Sequence, residues 1–164
     1  MEYHYDEQED TLTINFGDAD VAIVDDDPEH AGVIMEYTAD EKLVNFKLLE
    51  ASRKVKNPRV VQFQYRNNDP REDREPYEFD AWHKELQQLQ QGFVVVVSWY
   101  SEHETGYALD VYFREAEFDG NYEGERFHVV WDKDPSGDVY SLEIIYTLRY
   151  IADPASVHFM KPCE

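Results

Sequence analysis

The sequence predicts a mainly β protein of the α+β class, in which two antiparallel β-meander units share a core. Runs of β-branched and aromatic residues alternate with polar residues along most of the chain, as they do in half-buried strands. Clusters of Asp, Pro, Ser and Gly separate the runs, most clearly between Trp131 and Val139. One amphipathic helix, from about Asp80 to Gln91, is expected to pack on the sheet.

The chain divides into three parts. Residues 1–57 form the first unit, residues 58–92 are a connector with an edge strand and the helix, and residues 93–164 form the second unit. A length of 164 residues suits a single compact domain of this kind.

The first unit begins with a predicted hairpin of Met1–Tyr5 and Thr11–Phe16. Leu12, Ile14 and Phe16 alternate there with polar residues, so one face is buried and the other is wet. The later strands of this unit are expected at Val21–Val24, Gly32–Tyr37 and Leu43–Leu49.

The connector and the second unit follow the same logic. Val60–Tyr65 indicates a strand at a sheet edge, and Gly92 ends the helix. The helix carries an apolar stripe of Phe79, Trp82, Leu86 and Leu89. Strands are then expected at Val94–Val97, which is apolar on both faces, at Tyr107–Phe113, at Phe127–Trp131 and at Val139–Tyr146.

The second unit looks like a copy of the first. When Arg53 is laid on Arg149, three blocks superpose in one order. They are Thr11–Phe16 on Ala108–Phe113, Val33–Met35 on Val129–Trp131, and Phe46–Leu49 on Leu142–Ile145. Three blocks in one order indicate an internal duplication, although any two alternating strands superpose to some degree.

Several short motifs punctuate these strands. The first unit contains Tyr5-Asp6, Leu12-Thr13-Ile14, Gly32-Val33-Ile34 and Leu48-Leu49-Glu50-Ala51-Ser52-Arg53-Lys54. Through these motifs the first copy resembles the family called domain of unknown function 2283. The second copy resembles it as well, although it lacks the Ala-Ser pair. The resemblance implies a small domain without a recognisable catalytic motif, of a kind often found beside small toxin-like ribonucleases.

The net charge of −21 is the strongest compositional feature, and it is unevenly placed. Residues 1–41 contain 14 Asp or Glu and no Lys or Arg. Direct binding to nucleic acid is disfavoured, because that affinity depends on cations that neutralise phosphates. A basic protein is the complementary partner. A solubility coat and a halophilic proteome are the alternatives.

Acidic residues that such a partner would contact are expected at two places. Glu115, Glu117 and Asp119 alternate with apolar residues, and carboxylates two apart on a strand stand about 6.8 Å from each other. Such a ribbon could imitate a phosphate backbone, or it could be the wet face of an edge strand. Asp25, Asp26 and Asp27 form the second group, for which a solvated turn before Pro28 is the simpler interpretation.

A calcium site is a further hypothesis. Asp132, Asp134 and Ser136 occupy alternate positions of a calcium-loop pattern, and Gly137 permits the sharp bend. The flanking residues are predicted to be strands, whereas the calcium loop of an EF-hand lies between two helices. A capped polar turn is therefore the competing interpretation.

Catalysis has little support in the sequence. The histidines are scattered without metal-binding spacing, and no phosphate-binding loop or nucleophile elbow is present. His103, between two glutamates, is the one histidine with surroundings expected to raise its pKa. Cys163 is the single cysteine, which excludes an internal disulfide.

The N-terminus does not resemble a signal peptide, and no apolar run approaches about 18 residues, so a cytoplasmic location is expected. The sequence thus favours a non-enzymatic acidic module that engages or neutralises a basic protein, such as a nuclease or another nucleic-acid-binding protein. A calcium-stabilised structural domain and a self-associating protein, for example a homodimer, remain as alternatives.

Overall fold

The structure is a computed structural model of the protein. It describes residues 1–67, 84–86, 88, 94–100, 107–113, 124–144 and 147–157. Eleven strands lie in these residues and form two sheets. The first sheet contains β1 (Glu2–Asp6), β2 (Thr11–Asn15), β3 (Ile23–Asp25), β4 (Val33–Tyr37) and β5 (Leu43–Leu49). The second contains β6 (Val61–Asn67), β7 (Val94–Tyr100), β8 (Tyr107–Tyr112), β9 (Gly124–Arg126), β10 (Val129–Lys133) and β11 (Val139–Ile144).

Short helices accompany the strands. Ala51–Lys54 and Thr147–Tyr150 are α-helical, and Pro28–His30 and Pro154–Ser156 are 3-10 turns. The mainly β class is therefore confirmed. No helix in the described part of the chain is long and apolar enough to cross a membrane.

The two units share one strand order. The first sheet runs β1-β2-β5-β4-β3, and the second runs β6-β7-β8-β11-β10-β9, so its last five strands repeat the order of the first. The registers agree as well, because Leu12 lies opposite Leu48 just as Leu109 lies opposite Ile144. This equivalence is structural, and its origin by duplication stays a prediction.

A shared irregularity strengthens the equivalence of the units. The β4–β5 ladder shifts register between Glu36 and Tyr37, and the β10–β11 ladder shifts between Asp132 and Lys133. These positions are 96 residues apart, which is the spacing of Arg53 and Arg149. Register shifts of this kind are typical of β-bulges, and the two hairpins carry one at equivalent points.

The sheets pack face to face, and one buried cluster contains residues from both. Leu12, Ile14 and Phe16 are almost wholly buried in it, as their alternation predicted. Across the interface, the rings of Phe46 and Phe113 stack with their centroids 5.2 Å apart. Neither unit buries its apolar face by itself, so each sheet supplies the cover of the other.

The helix of the connector packs on the outer face of the second sheet. Residues 84–86 and 88 are helical, whereas both predicted ends lie outside the described residues. Leu86 packs there with Val95, Val97 and Ala108. This contact agrees with the predicted amphipathic helix and explains why β7 is apolar on both faces.

The short helices Ala51–Lys54 and Thr147–Tyr150 were not predicted, and two features of the strands also differ from the sequence prediction. β6 pairs with β7 in parallel, whereas the other ladders between described strands are antiparallel. β9 was not predicted, and it joins β10 through Phe127 and His128, whose φ angles are 49° and 65°. Positive φ at both turn residues is the conformation of a two-residue hairpin, which usually selects Asn or Gly. The turn therefore lacked its usual sequence signal.

Candidate functional site

The predicted contact residues do not all lie on the surface. Asp26 and Asp27 are exposed directly after β3, but Asp25 is only 2 % exposed. The carboxylate of Asp25 turns inward at the end of the strand, so it does not stand on the surface where a partner contact was predicted. Glu115, Glu117 and Asp119 lie outside the described residues.

Asp25 is the buried centre of a polar cluster between the sheets. Its Oδ1 lies 3.0 Å from Nη1 of Arg126 in β9 and 3.1 Å from Nε2 of His30. The backbone N–H of Asp27 donates to the same oxygen at 3.3 Å. We call Asp25, His30 and Arg126 the Asp25 cluster. It joins β3 to β9, the outermost described strands on one side of the sandwich.

His30 is fixed in this cluster by several contacts. Its Nδ1 lies 3.1 Å from the carbonyl oxygen of Val33, and its ring meets the ring of Trp131 edge-on at 4.9 Å. Its Nε2 approaches the carboxylate of Asp25 without the geometry of a hydrogen bond. Burial raises the pKa of the neighbouring Tyr37 hydroxyl, and the negative charge of Asp25 raises it further.

The cluster suits a structural role better than a catalytic one. His30 is fully buried and Asp25 nearly so, so a substrate has no access to either side chain. Burial of a charge is costly unless the charge is paired, and Arg126 supplies the pairing from the opposite sheet. Sequence reasoning missed His30 and Arg126, because they are 96 positions apart and belong to no motif.

The hairpin turn from Asp132 to Asp138 uses its own oxygens. Oδ1 of Asp134 accepts hydrogen bonds from the backbone N–H and hydroxyl of Ser136, at 2.9 and 2.6 Å, and from the N–H of Asp138 at 3.1 Å. Oδ2 of Asp132 accepts instead from the hydroxyl of Ser141. The capped polar turn is therefore present.

A cation at this turn would compete with those bonds. The carboxylate of Asp138 also accepts two hydrogen bonds from the guanidinium of Arg53, at 2.9 and 3.1 Å. These bonds tie the first unit to this hairpin. Within the described ranges, no three His, Cys, Asp or Glu side chains are grouped so that they could hold a metal ion. The calcium hypothesis for Asp132, Asp134 and Ser136 stays a prediction.

The Ala-Ser motif has a clear structural reason. The backbone N–H and hydroxyl of Ser52 donate to the carboxylate of Asp10, at 2.9 and 2.8 Å, and the hydroxyl of Tyr5 donates to it at 2.8 Å. These bonds, led by the one from the Ser52 backbone, hold the pKa of Asp10 below its ordinary value. The motif therefore ties helix Ala51–Lys54 to the β1–β2 turn.

The acidic segment covers the first unit with exposed carboxylates. Residues 1–41 contain fourteen Asp and Glu residues, and nine of the thirteen whose side chains the structure describes are exposed. They are Glu2, Glu7, Glu9, Asp18, Asp20, Asp26, Asp27, Asp40 and Glu41. Four of these flank β3, where Val21 and Val24 are exposed as well. We call the segment from Asp18 to Asp27 the β3 edge.

Comparison with known proteins supports the family resemblance for the first unit. Residues 2–52 match a family model described as Protein of unknown function (DUF2283). The match spans β1 to β5 and ends within helix Ala51–Lys54, so it covers the first sheet. No curated protein and no solved structure matches the chain.

Proposed function

We propose that this protein is a non-enzymatic acidic binding module that engages or neutralises a basic protein. One observation carries the proposal, namely the exposure of nine carboxylates on a unit whose first 41 residues contain no Lys or Arg. Complementary potentials of this kind accelerate encounter and discriminate against wrong partners.

The scaffold gives this charge a defined shape. The exposed carboxylates stand on turns and strand ends of the first sheet, whose strands are tied by regular ladders and packed on the second sheet. The turns are themselves hydrogen-bonded, since Asp6 accepts from the N–H groups of Gln8 and Glu9. Preorganised charges lose little conformational freedom on binding, which favours a specific partner over diffuse attraction.

The proposed partner class is a nuclease or another nucleic-acid-binding protein. Such proteins carry basic surfaces shaped for phosphates, and spaced carboxylates present a similar row of negative charges. Neutralisation then requires only that the acidic surface occupies the basic one. Glu115, Glu117 and Asp119 are part of this proposal on sequence grounds alone.

A pull-down at two salt concentrations tests the proposal. The tagged protein is incubated with lysate of its source, washed at low salt and then at about 0.15 M, where screening acts beyond about 8 Å. We expect one basic protein to stay bound, and to be released from a variant that combines Asp26→Asn and Asp27→Asn with Glu115→Gln, Glu117→Gln and Asp119→Asn. If that protein is a nuclease, titration with the acidic module should abolish its activity.

Unspecific binding would contradict the proposal. A smear of basic proteins that disappears at moderate salt would identify the charge as a solubility coat, and the proposal would be wrong. Sedimentation without a partner separates the self-association alternative, because only that alternative makes the mass of the species depend on protein concentration.

A further inference from the structure

The β3 edge combines exposed apolar surface with an outermost strand. Val24 is 58 % exposed and Val21 is 42 % exposed, and with Phe63 on β6 they are the large hydrophobic residues exposed in the described part of the chain. A single exposed valine is ordinary on a protein surface. Val21 and Val24 lie within one stretch of four residues at an outermost strand, and such a pair requires a more specific explanation.

β3 is paired on one side. It lies last in its sheet and pairs with β4, and no other described strand pairs with it. The outer side of an edge strand presents backbone N–H and C=O groups that can accept a further strand. Strand addition supplies affinity through the main chain and specificity through alternate side chains.

The charged side chains exposed before and after β3 are carboxylates. Asp18 and Asp20 precede the strand and Asp26 and Asp27 follow it, and all four side chains are exposed. Asp25 between them is held inward by Arg126 at 3.0 Å, which anchors the strand to the opposite sheet. The edge is therefore a fixed apolar strip with carboxylates at both ends.

We propose that an extended segment of the basic partner adds to the first sheet as a strand beside β3. Its Lys or Arg side chains lie at the exposed Asp18, Asp20 and Asp26, and a small apolar side chain covers Val24. This inference rests on the proposed function and names the surface and the backbone mode of binding.

Charge selects this occupant over a second copy of the chain. Two copies joined at β3 would bring the exposed Asp18, Asp20 and Asp26 of each copy towards those of the other, and residues 1–41 contain no Lys or Arg. Like charges across paired strands are destabilising. Short, charged edges also protect sheets from aggregation, and the experiment below separates that role from binding.

The probe is a fluorescein-labelled peptide of about seven residues, a common strand length, in which Lys and Val alternate. Its anisotropy is measured with the full-length protein at low salt, with a Glu-Val peptide as the control of opposite charge. We expect the Lys-Val peptide to bind and the Glu-Val peptide not to bind. Amide hydrogen exchange at Ile23–Asp25 should slow in the complex, because new main-chain bonds protect the edge.

The first variant removes the apolar contact. Val24→Arg places a cation on the outer strand. The cation repels the Lys side chains of the peptide, and the methyl groups of Val24 no longer pack against its Val side chains. Each effect is modest, and together we expect them to weaken peptide binding about tenfold. Phe63→Arg is the matched control, since Phe63 is comparably exposed on the other sheet. Circular dichroism verifies that both variants are folded.

The second variant removes charge at constant shape, with the same change elsewhere on the first unit as its control. This single variant combines Asp18→Asn, Asp20→Asn and Asp26→Asn, which replace three exposed aspartates of the edge. The control replaces three exposed glutamates in Glu2→Gln, Glu9→Gln and Glu41→Gln. We expect the edge variant to weaken binding about tenfold or more, and the control to change it by less than about threefold.

Three results would overturn the inference. Equal weakening by both charge variants, with no effect of Val24→Arg, would mean that net charge alone attracts the peptide. Absence of peptide binding would remove strand addition, although a folded basic partner could still be captured and the proposed function would stand. A change in sedimentation caused by Val24→Arg, with unchanged peptide affinity, would identify a second copy as the occupant.

Discussion

Replacing Asp25 by alanine tests whether the Asp25 cluster holds the two sheets together. Asp25 is 2 % exposed, and its carboxylate lies 3.0 Å from the guanidinium of Arg126. Loss of one partner of a buried ion pair costs about 3–5 kcal/mol, because the other charge stays buried and unpaired. The side chain of Arg126 is 42 % exposed and gains water when it is released, so we expect a loss of about 2–3 kcal/mol.

Urea denaturation measures this loss, and for a chain of this size it corresponds to a fall in Tm of about 4–12 °C. Asp26→Ala is the control, because Asp26 is adjacent and exposed, and we expect a change within about 0.5 kcal/mol. A double-mutant cycle with Arg126→Ala isolates the pair, for which a coupling free energy of about 1 kcal/mol or more is expected.

The reasoning would be refuted if Asp25→Ala were as mild as Asp26→Ala. It would also fail if the effects of Asp25→Ala and Arg126→Ala simply added, within about 0.3–0.5 kcal/mol. Either result would mean that the contact between β3 and β9 contributes nothing to the stability of the sandwich. A changed m-value would point instead to an altered unfolded state, so the comparison requires equal m-values.

Three further predictions concern other parts of the fold. Phe46→Ala should lower the free energy of unfolding by about 3–5 kcal/mol, because it leaves a cavity where the ring of Phe113 now stacks; a loss below about 1 kcal/mol in urea would contradict the packing between the sheets. Asp134→Ala should cost about 1 kcal/mol equally with and without millimolar calcium, because Asp134 caps its own turn; a rise in Tm with calcium that the variant abolishes would establish a calcium site. The pKa of Asp10 is lowered on folding, so its contribution is present above the unfolded pKa of about 3.9 and is lost as pH falls through the folded value. Asp10→Asn should therefore flatten the dependence of stability on pH below about 4, and an unchanged slope in acid denaturation curves would argue against the bonds from Ser52.

The strands with clear alternation were predicted within a few residues. Buried side chains alternate with half-buried ones along β2 and, after Leu43, along β5, and this period is visible directly in the sequence. The hairpin of β10 and β11 was predicted from its turn, where Gly137 adopts a φ of 87°. β9 was not predicted, because Gly124–Arg126 is polar and the turn that joins it to β10 lacks Asn or Gly.

The candidate site was predicted less well, for a physical reason. The run of aspartates at positions 25–27 is visible in the sequence, but a strand turns alternate side chains to opposite faces. Asp25 was thereby sent into the interface while Asp26 stayed at the surface. No local pattern signals an arginine from the other sheet, because ion pairs over long sequence separations depend on how the sheets pack.

The sequence alone determined the β class, the acidity of the first unit, the amphipathic helix and the family resemblance of residues 2–52. These properties are local or compositional, so neighbouring residues are enough to reveal them. Only the tertiary structure decided that the sheets cover each other, that β6 joins its sheet in parallel, and that Asp25 pairs with Arg126. Such contacts are set by the burial of whole faces, and the free energy of that burial belongs to the assembled sandwich rather than to any segment.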